Sequence, residues 1–184
     1  GIVSLGDGGT AVLTFAKPIT NGSGADFAVF ENSFNDTFLE LAFVEASSDG
    51  INFFRFPATS LTSTGTQVGS FGATDATKIN NLAGKYKANY GTPFDISELP
   101  DHSLLNKDKI THVKIIDVVG TINPQYGTLD SVGNIVNDPY PTNFASGGFD
   151  LDAVGVINEF TEVLATANLS KSDFQIYPNP TSDF

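Results

Sequence analysis

Apolar and polar residues alternate with a period of two in several short runs of the chain, which is the spacing of a β-strand and not of a helix. Between positions 10 and 15, Ala11, Leu13 and Phe15 share one face, and the three intervening residues share the other. The run from 110 to 119 alternates in the same way and places Asp117 on the face that carries Val113 and Ile115. The pattern predicts short strands separated by turns, with almost no helix.

Turn residues set the limits of these runs. Lys17 and Pro18 are expected to end the first strand, and further strands are predicted over 26–30, 41–47 and 149–158. Ser48-Asp49-Gly50 joins 41–47 to a returning strand over 51–56, and Asp-Gly between two such runs is a strong hairpin signal. The segments 59–99 and 127–148 are predicted to be long irregular loops, with one helical turn at 95–99. Strands without helices between them favour an all-β, antiparallel β-sandwich.

Composition narrows the classes of partner. The chain has 184 residues and a net charge of −12, so we expect it to bind neither nucleic acid nor anionic lipid surfaces. It contains no cysteine, which excludes disulfides, cysteine-ligated zinc and thiol catalysis. No stretch reaches the roughly 20 apolar residues of a membrane span, so no transmembrane segment is predicted.

The last residues differ in character from the domain that precedes them. The motif IYPNPT at 176–181 resembles the opening of the type A C-terminal sorting domain of the Bacteroidota type IX secretion system. The resemblance implies export across the outer membrane, a location at the cell surface or outside the cell, and the secretion machinery as a partner. We therefore divide the chain into a binding domain at 1–160, a linker at 161–173 and the truncated start of a sorting domain at 174–184.

Three segments of the domain together resemble a galactose-binding-like jelly roll, the last of them a closing strand that runs to Ile157. The stretch VEASSDGINFFRF at 44–56 is similar to the strand-turn-strand hairpin of discoidin-type and related carbohydrate-binding modules. The stretch THVKIIDVV at 111–119 resembles their penultimate strand. Discoidin-type modules usually carry tryptophan and cysteine, which are absent here, so the resemblance is to the fold superfamily. It implies a jelly roll, carbohydrate or polymer binding and a structural calcium ion.

Motifs spread over almost the whole domain resemble a group of bacterial cell surface proteins. They are GADFAVFEN at 24–32, NLAG at 81–84, GTPFD at 91–95 and GFDLDAVG at 148–155. Members of this group often bear sorting tails, and some are associated with outer-membrane uptake of scarce nutrients such as cobalamin. This resemblance implies a surface location.

Carboxylates concentrate at the ends of predicted strands. Two carboxylates on one face of a strand, as expected for Asp150 and Asp152, repel each other unless a cation, water or arginine lies between them. Calcium suits such positions because it takes six to eight oxygen ligands with tolerant geometry. We predict one Ca²⁺ held by some of Asp26, Glu31, Asn32, Asp150 and Asp152; the alternative is that these side chains cap turns.

Catalysis has little support in the sequence, and we expect a protein that is not an enzyme. The chain has two histidines and no nucleophile motif, and its paired acids lack an acid/base signature. Ligand recognition fits better because tyrosine is amphipathic and loses little entropy at interfaces. The candidate ligand-binding residues lie in the two long loops: Tyr86, Tyr90, Tyr126 and Tyr140. The alternative is that these tyrosines anchor the loops.

Three functions remain open from the sequence. The first is an exported, non-catalytic module that binds a glycan or surface polymer and is stabilised by calcium. The second is an accessory protein of an outer-membrane nutrient uptake system, for example for cobalamin, which captures the nutrient or docks on the transporter. The third is a structural or adhesive component of the cell surface.

Overall fold

The computed structural model describes residues 1–162, which form two antiparallel sheets of four strands each packed face to face. The strands are, in chain order, β1 (Val3–Ser4), β2 (Thr10–Ile19), β3 (Phe27–Glu31), β4 (Ala42–Ser47), β5 (Phe54–Arg55), β6 (Thr59–Ser60), β7 (Ile79–Asn80), β8 (Thr92–Phe94), β9 (Ile110–Asp117) and β10 (Asp150–Val156). No α-helix occurs within the described part of the chain, so the all-β sandwich that the sequence predicts is confirmed. The proposed sorting segment and nearly all of the linker lie outside the described residues.

The first sheet has the strand order β1-β10-β3-β8, and the second has the order β2-β9-β4-β5. The chain passes from one sheet to the other at each of the first four strands, stays in the second sheet for β5, and then crosses again at β8, β9 and β10. A separate two-stranded ribbon pairs β6 with β7. Because the chain crosses repeatedly between the two sheets, the ends of strands from both sheets lie together at each end of the sandwich.

The core between the sheets contains a group of three phenylalanine rings. Phe27 of β3 stacks on Phe94 of β8 with ring centroids 5.4 Å apart. Phe56, which follows β5 in the opposite sheet, meets the edge of both rings, at 5.8 Å from Phe27 and 5.0 Å from Phe94. Edge-to-face and offset arrangements of this kind are the favoured ones for aromatic pairs. The group ties the two sheets together.

A second apolar cluster covers the outer face of β4. Leu41, Phe43 and Val118 pack there against Leu82 and Val136 from the long loops. Both faces of β4 are therefore covered, and all six of its residues are buried. This explains why the sequence of this strand is continuously apolar over much of its length and does not alternate.

Two expectations about strand limits are wrong. β2 does not end at Lys17-Pro18 but continues to Ile19, with a shift in its pairing to β9 between Thr14 and Ile19. β2 is an edge strand, where the amide hydrogen that proline lacks need not pair with a neighbouring strand. The predicted loop 59–99 contains the paired strands β6 and β7, and also β8, whose Pro93 is exposed on the outer edge of the first sheet.

The hairpin and the helical turn are confirmed, but the returning strand predicted over 51–56 is only β5, Phe54–Arg55. The hairpin pairs Glu45 with Arg55, and Gly50 takes a φ of +75° in its turn. Asp49 accepts hydrogen bonds from the amides of Ile51 and Asn52, which fixes the turn. The helical turn near 95–99 is a 3-10 turn over Ile96–Glu98.

Candidate metal and ligand-binding sites

One end of the sandwich gathers acidic side chains from both sheets, and we call it the carboxylate end. Glu31 ends β3, Asp150 begins β10 beside it, Glu40 lies just before β4 and Asp117 ends β9. The ladder pairs Leu151 with Glu31 in one sheet and Ala42 with Asp117 in the other. Asp138 joins them from the loop between β9 and β10, because its Oδ2 accepts the amide of Leu41 at 3.0 Å.

Backbone amides hold most of these carboxylates in place. Asp117 bridges two loops: its Oδ1 accepts the amide of Phe149 at 2.6 Å, and its Oδ2 accepts that of Gly8 at 2.9 Å. Glu31 accepts the amide of Ser33 through Oε2 at 2.7 Å. Such bonds satisfy part of each carboxylate, but they supply no positive charge.

Burial without a counter-ion shifts the acidities of this group. Removal from water raises the pKa of Glu31 and that of Glu40 to about 8, with repulsion from Asp150 acting on both. Burial likewise raises the pKa of Asp117 to about 7. It raises the pKa of Asp138 well above its usual range, with added repulsion from Asp117, Glu40 and Glu31. The ion-free site therefore favours protons on carboxyls that are ordinarily ionised at neutral pH.

Two buried oxygens of the carboxylate end have no hydrogen-bond partner among residues 1–162. They are Oε1 of Glu40, a residue 5% exposed, and Oδ1 of Asp138, a residue 3% exposed. The ion pairs of the described residues lie elsewhere; Glu45, for example, is paired with Arg55 and Lys114. No three acidic or histidine side chains of residues 1–162 already have the arrangement of a metal-ligand group.

The structure brings together only some of the acids that the sequence singled out as metal ligands. Glu31 and Asp150 lie at the carboxylate end. Asp26 precedes β3 and is separated from Glu31 by five residue steps, roughly 16 Å at the rise of an extended chain. The two cannot share an ion, so the structure does not bring Asp26 together with the other candidate ligands.

Asp26 has a structural explanation of its own. It is fully buried, and its carboxylate accepts hydrogen bonds from the amides of Gly22 and Ile96 and from the side chain of Asn158. Those donors satisfy both of its oxygens and tie three loops together at the far end of the sandwich. This is the turn-capping role that the sequence left open as the alternative.

The remaining two predicted ligands are peripheral. The pairing of β10 with β3 shifts register between Leu151 and Ala153, so Asp152 lies in an irregularity of the strand and is exposed. Asn32 is half-buried, and its amide donates to the carbonyl of Asp150 at 3.2 Å. Asn32 is thus next to the carboxylate end, whereas Asp152 faces solvent.

The sequence did not indicate that Glu40, Asp117 and Asp138 join Glu31 and Asp150 at the carboxylate end. A signal was present for two of them, because Glu40 lies between Leu39 and Leu41, and Asp117 shares the apolar face of its strand. An acid within a buried apolar run needs a partner. Asp138 gave no comparable signal, because its position depends on the path of a long loop.

Two of the four predicted tyrosines line one groove, which we call the tyrosine groove. It has a volume of about 480 Å³ and lies on the outer face of the first sheet. Its walls are Ala28, Phe30, Tyr86, Asn89, Tyr90, Gly91, Pro93 and Ile157. Tyr90 is 63% exposed. The aromatic rings of the groove are therefore accessible to a ligand.

Local backbone geometry shapes this groove. A Cβ on Gly91 would lie 2.8 Å from the ring of Phe30, so the glycine lets the loop lie directly on that ring. Asn89 takes a φ of +73°, a left-handed conformation that asparagine tolerates better than most residues. The ammonium groups of Lys85 and Lys87 lie 5.7 Å and 5.9 Å from the ring centroids of Tyr86 and Tyr90.

The other two predicted tyrosines lie elsewhere. Tyr126 is 62% exposed and belongs to the turn after Asn123, whose carbonyl accepts its amide. Tyr140 is half-buried, and its amide donates to the carbonyl of Val68. The four tyrosines therefore do not form a common site; Tyr86 and Tyr90 share the groove.

A partly exposed group of phenylalanines on three loops was missed, and we call it the phenylalanine patch. Its members are Phe71, Phe144 and the half-buried Phe38. Phe71 is 79% exposed and stacks on Phe144 with centroids 5.5 Å apart. Phe71 also contacts Phe38, with ring centroids 6.1 Å apart. The rings come from residues distant in sequence, so no local pattern predicts their meeting.

The histidines lie outside all of these groups. The ring of His112 faces Phe53 and the turn at Gly50, and that of His102 packs against Phe54. No helix of residues 1–162 is long and apolar enough to cross a membrane. The chain matches no protein-family model, no curated protein and no solved structure.

Proposed function

We propose that this chain is a non-catalytic binding module of the cell surface, which holds a glycan or surface polymer in the tyrosine groove. The observation that carries the proposal is the exposure of Tyr86 and Tyr90 beside Phe30 and Pro93 in one open groove. Flat aromatic faces in water suit the apolar faces of sugar rings, and the amide of Asn89 offers both a donor and an acceptor to hydroxyls.

The strand order supports a jelly roll of the galactose-binding-like kind as the fold type. Without the β6–β7 ribbon, eight strands remain, and they can be numbered 1 to 8 in chain order. The first sheet then has the strand order 1-8-3-6, and the second has the order 2-7-4-5. Two four-stranded sheets linked by repeated crossing are the arrangement of jelly rolls, which occur in lectin domains. Fold type alone does not determine function, so the groove remains the main support.

Glycan binding is tested by affinity electrophoresis in gels that contain candidate polysaccharides, supplemented by a glycan array. Wild-type protein should be retarded by at least one polysaccharide, and Tyr86→Ala and Tyr90→Ala should abolish the retardation. Tyr126→Ala is the matched control, because Tyr126 is 62% exposed, close to the value for Tyr90, but lies outside the groove. Absence of retention by any glycan, or equal loss in the control, would refute the proposal.

A second candidate function has its own observation. The phenylalanine patch exposes stacked rings to solvent, and contiguous exposed apolar surface marks protein contact sites. It supports an accessory protein that docks on an outer-membrane nutrient transporter. Co-purification of a transporter with wild-type protein, lost in Phe71→Ser and kept in the control Leu61→Ser, would favour this function over glycan binding.

Export is the part of the proposal that depends on the sequence motif at 176–181. With its complete C-terminal region, the protein should be labelled by antibody on intact cells. Deletion from residue 174 onward should leave it inside the cell envelope. Labelling that does not change on deletion would contradict the role given to the motif.

A further inference from the structure

We propose that the tyrosine groove selects acidic polysaccharides, whose sugar rings carry carboxylate or sulfate groups, and that Lys85 and Lys87 bind those groups. The inference rests on the proposed function, because it names the class of glycan that the groove holds. It also goes beyond that function, because stacking on Tyr86 and Tyr90 alone does not distinguish a charged sugar from a neutral one.

The two lysines place positive charge beside both tyrosine rings of the groove. The ammonium group of Lys85 lies 5.7 Å from the ring centroid of Tyr86, and that of Lys87 lies 5.9 Å from the ring centroid of Tyr90. A carboxylate or sulfate projects from the edge of a sugar ring. A sugar stacked on one of these tyrosines can therefore place its anionic group against the neighbouring ammonium group.

The loop that carries the lysines is anchored to the sandwich on both sides of them. Before it, Ala83 exchanges two backbone hydrogen bonds with Ala42, at 2.9 Å and 3.1 Å. Just after the lysines, the amide of Ala88 donates to the carbonyl of Ser33 at 2.8 Å. Both lysine side chains are half-buried. Charges that are held in place before a ligand arrives lose less conformational entropy when they bind it.

The positive charge beside the groove is only partly neutralised. The ion pairs among residues 1–162 do not include Lys85. Lys87 donates to Oδ2 of Asp36 at 2.9 Å, but the Asp36 side chain is 73% exposed, and exposed pairs of this kind are weak. Two ammonium groups and one carboxylate together carry a net charge of +1, in a chain whose net charge is −12.

The net charge of the chain acts on a bound glycan less than these nearby lysines do. Exposed charges more than roughly 8 Å apart are largely screened at about 0.15 M salt. Glu31 lies on the opposite face of β3 from the groove, and burial raises its pKa to about 8, so it is mostly protonated at pH 7. A nucleic acid or a lipid surface would also meet the acidic remainder of the protein, whereas a glycan in the groove does not.

The test is biolayer interferometry of the whole chain on two pairs of immobilised polysaccharides. Polygalacturonate is compared with its methyl ester, and dextran sulfate is compared with dextran. Wild-type protein should bind the acidic member of at least one pair about 10-fold or more tightly than the neutral member, as expected for hydrogen bonds to a charged group. Raising the salt from about 0.05 M to about 0.5 M should reduce this preference. The pair that shows the preference identifies the anion.

Two substitutions should shift the preference in opposite directions. Lys85→Gln should reduce it about 10-fold, and Lys85→Arg, which keeps the charge, should retain most of it. Asp36→Asn frees Lys87 from its carboxylate and should increase the preference. Lys109→Gln is the matched control and should bind as the wild type does, because the Lys109 ammonium group also lies beside an aromatic ring, that of Phe160 at 4.5 Å, but outside the groove.

The outcomes separate this inference from the proposed function. Equal binding of acidic and neutral members, lost in Tyr90→Ala, would overturn the inference and leave glycan binding in the groove intact. A preference that Lys85→Gln and Asp36→Asn leave unchanged, or that persists in Tyr90→Ala, would place the recognition of charge elsewhere and overturn it. Binding of no polysaccharide would overturn both proposals. Unfolding can only weaken binding, so tighter binding by Asp36→Asn cannot come from a folding defect.

Discussion

The stability of this protein in a chelator should fall as the pH rises from about 5.5 to about 7, which is opposite to the usual behaviour of carboxylates paired in the folded state. The pKa of Glu31 and that of Glu40 are raised to about 8 in the folded chain by burial and by repulsion from neighbouring carboxylates. In the unfolded chain a glutamate titrates near 4.3. Between these values the folded state holds more protons, so raising the pH favours unfolding.

The slope follows from the number of protons retained. One proton held only by the folded state contributes about 1.4 kcal/mol per pH unit, and two contribute about 3 kcal/mol per pH unit. Since Glu31 and Glu40 repel each other, we expect their joint contribution to the slope to lie between these limits, and Asp117 and Asp138, whose pKa values are also raised by burial, add to it. Over this range the two glutamates together contribute a loss of about 2–4 kcal/mol, a large share of the roughly 5–15 kcal/mol by which domains are stable.

The assay is guanidinium unfolding followed by far-ultraviolet circular dichroism, because the chain contains no tryptophan. Glu40→Gln should reduce the slope by up to about 1.4 kcal/mol per pH unit. The difference between the two proteins cancels the titration of the groups that do not interact with Glu40, and Asp108→Asn should keep the wild-type slope. A free energy of unfolding that stays constant or increases over the range would refute the reasoning.

Two further predictions concern the fold around the sites. Gly84→Ala should destabilise the chain by at least about 2 kcal/mol more than Gly24→Ala in the same unfolding assay. Both glycines have positive φ, but of the two only a Cβ on Gly84 would meet a carbonyl, that of Glu40, at 1.9 Å. Equal losses would contradict this. Phe94→Ala should lower the free energy of unfolding by about 3–5 kcal/mol, because it opens a cavity beside Phe27 and Phe56. Phe34→Ala, at an exposed position, should change it by no more than about 0.5 kcal/mol. A small loss for Phe94→Ala would mean that the core collapses around the missing ring.

Local patterns determined the parts of the fold that the sequence predicted correctly. Period-two alternation placed Val113, Ile115 and Asp117 on the buried face of β9, and Asp49-Gly50 marked the hairpin. The continuation of β2 past Pro18 was missed because the tolerance of a strand for proline depends on whether it lies at an edge. That property belongs to the sheet and is not visible in the strand itself.

The candidate sites were predictable only in part for a related reason. Glu31 and Asp150 were recognised because each lies at the end of a strand, but their partners are set by the packing of two sheets. Asp26 and Glu31 are close in sequence and distant in space, because the extended strand between them spans the sandwich. Glu40 and Asp138 are 98 residues apart but are joined through Leu41, whose amide binds Asp138.

The resemblance motifs gain a physical meaning from the carboxylate end. Gly84, in the motif NLAG, lies against the carbonyl of Glu40, and Gly148, in GFDLDAVG, has a φ of +76° beside the carboxylate of Asp117. Only a residue without a side chain allows the loops to approach the acids this closely. Motifs that are separated along the chain therefore meet at one end of the sandwich.

The tyrosine groove and the carboxylate end lie on opposite faces of one strand. In β3, Phe30 points outward into the tyrosine groove, while its neighbour Glu31 is buried at the carboxylate end. The strand pairs with β10 on one side and with β8 on the other, so its backbone is held from both sides. A ligand in the groove therefore need not disturb the buried carboxylates, and a failure of the glycan proposal leaves the predicted pH dependence intact.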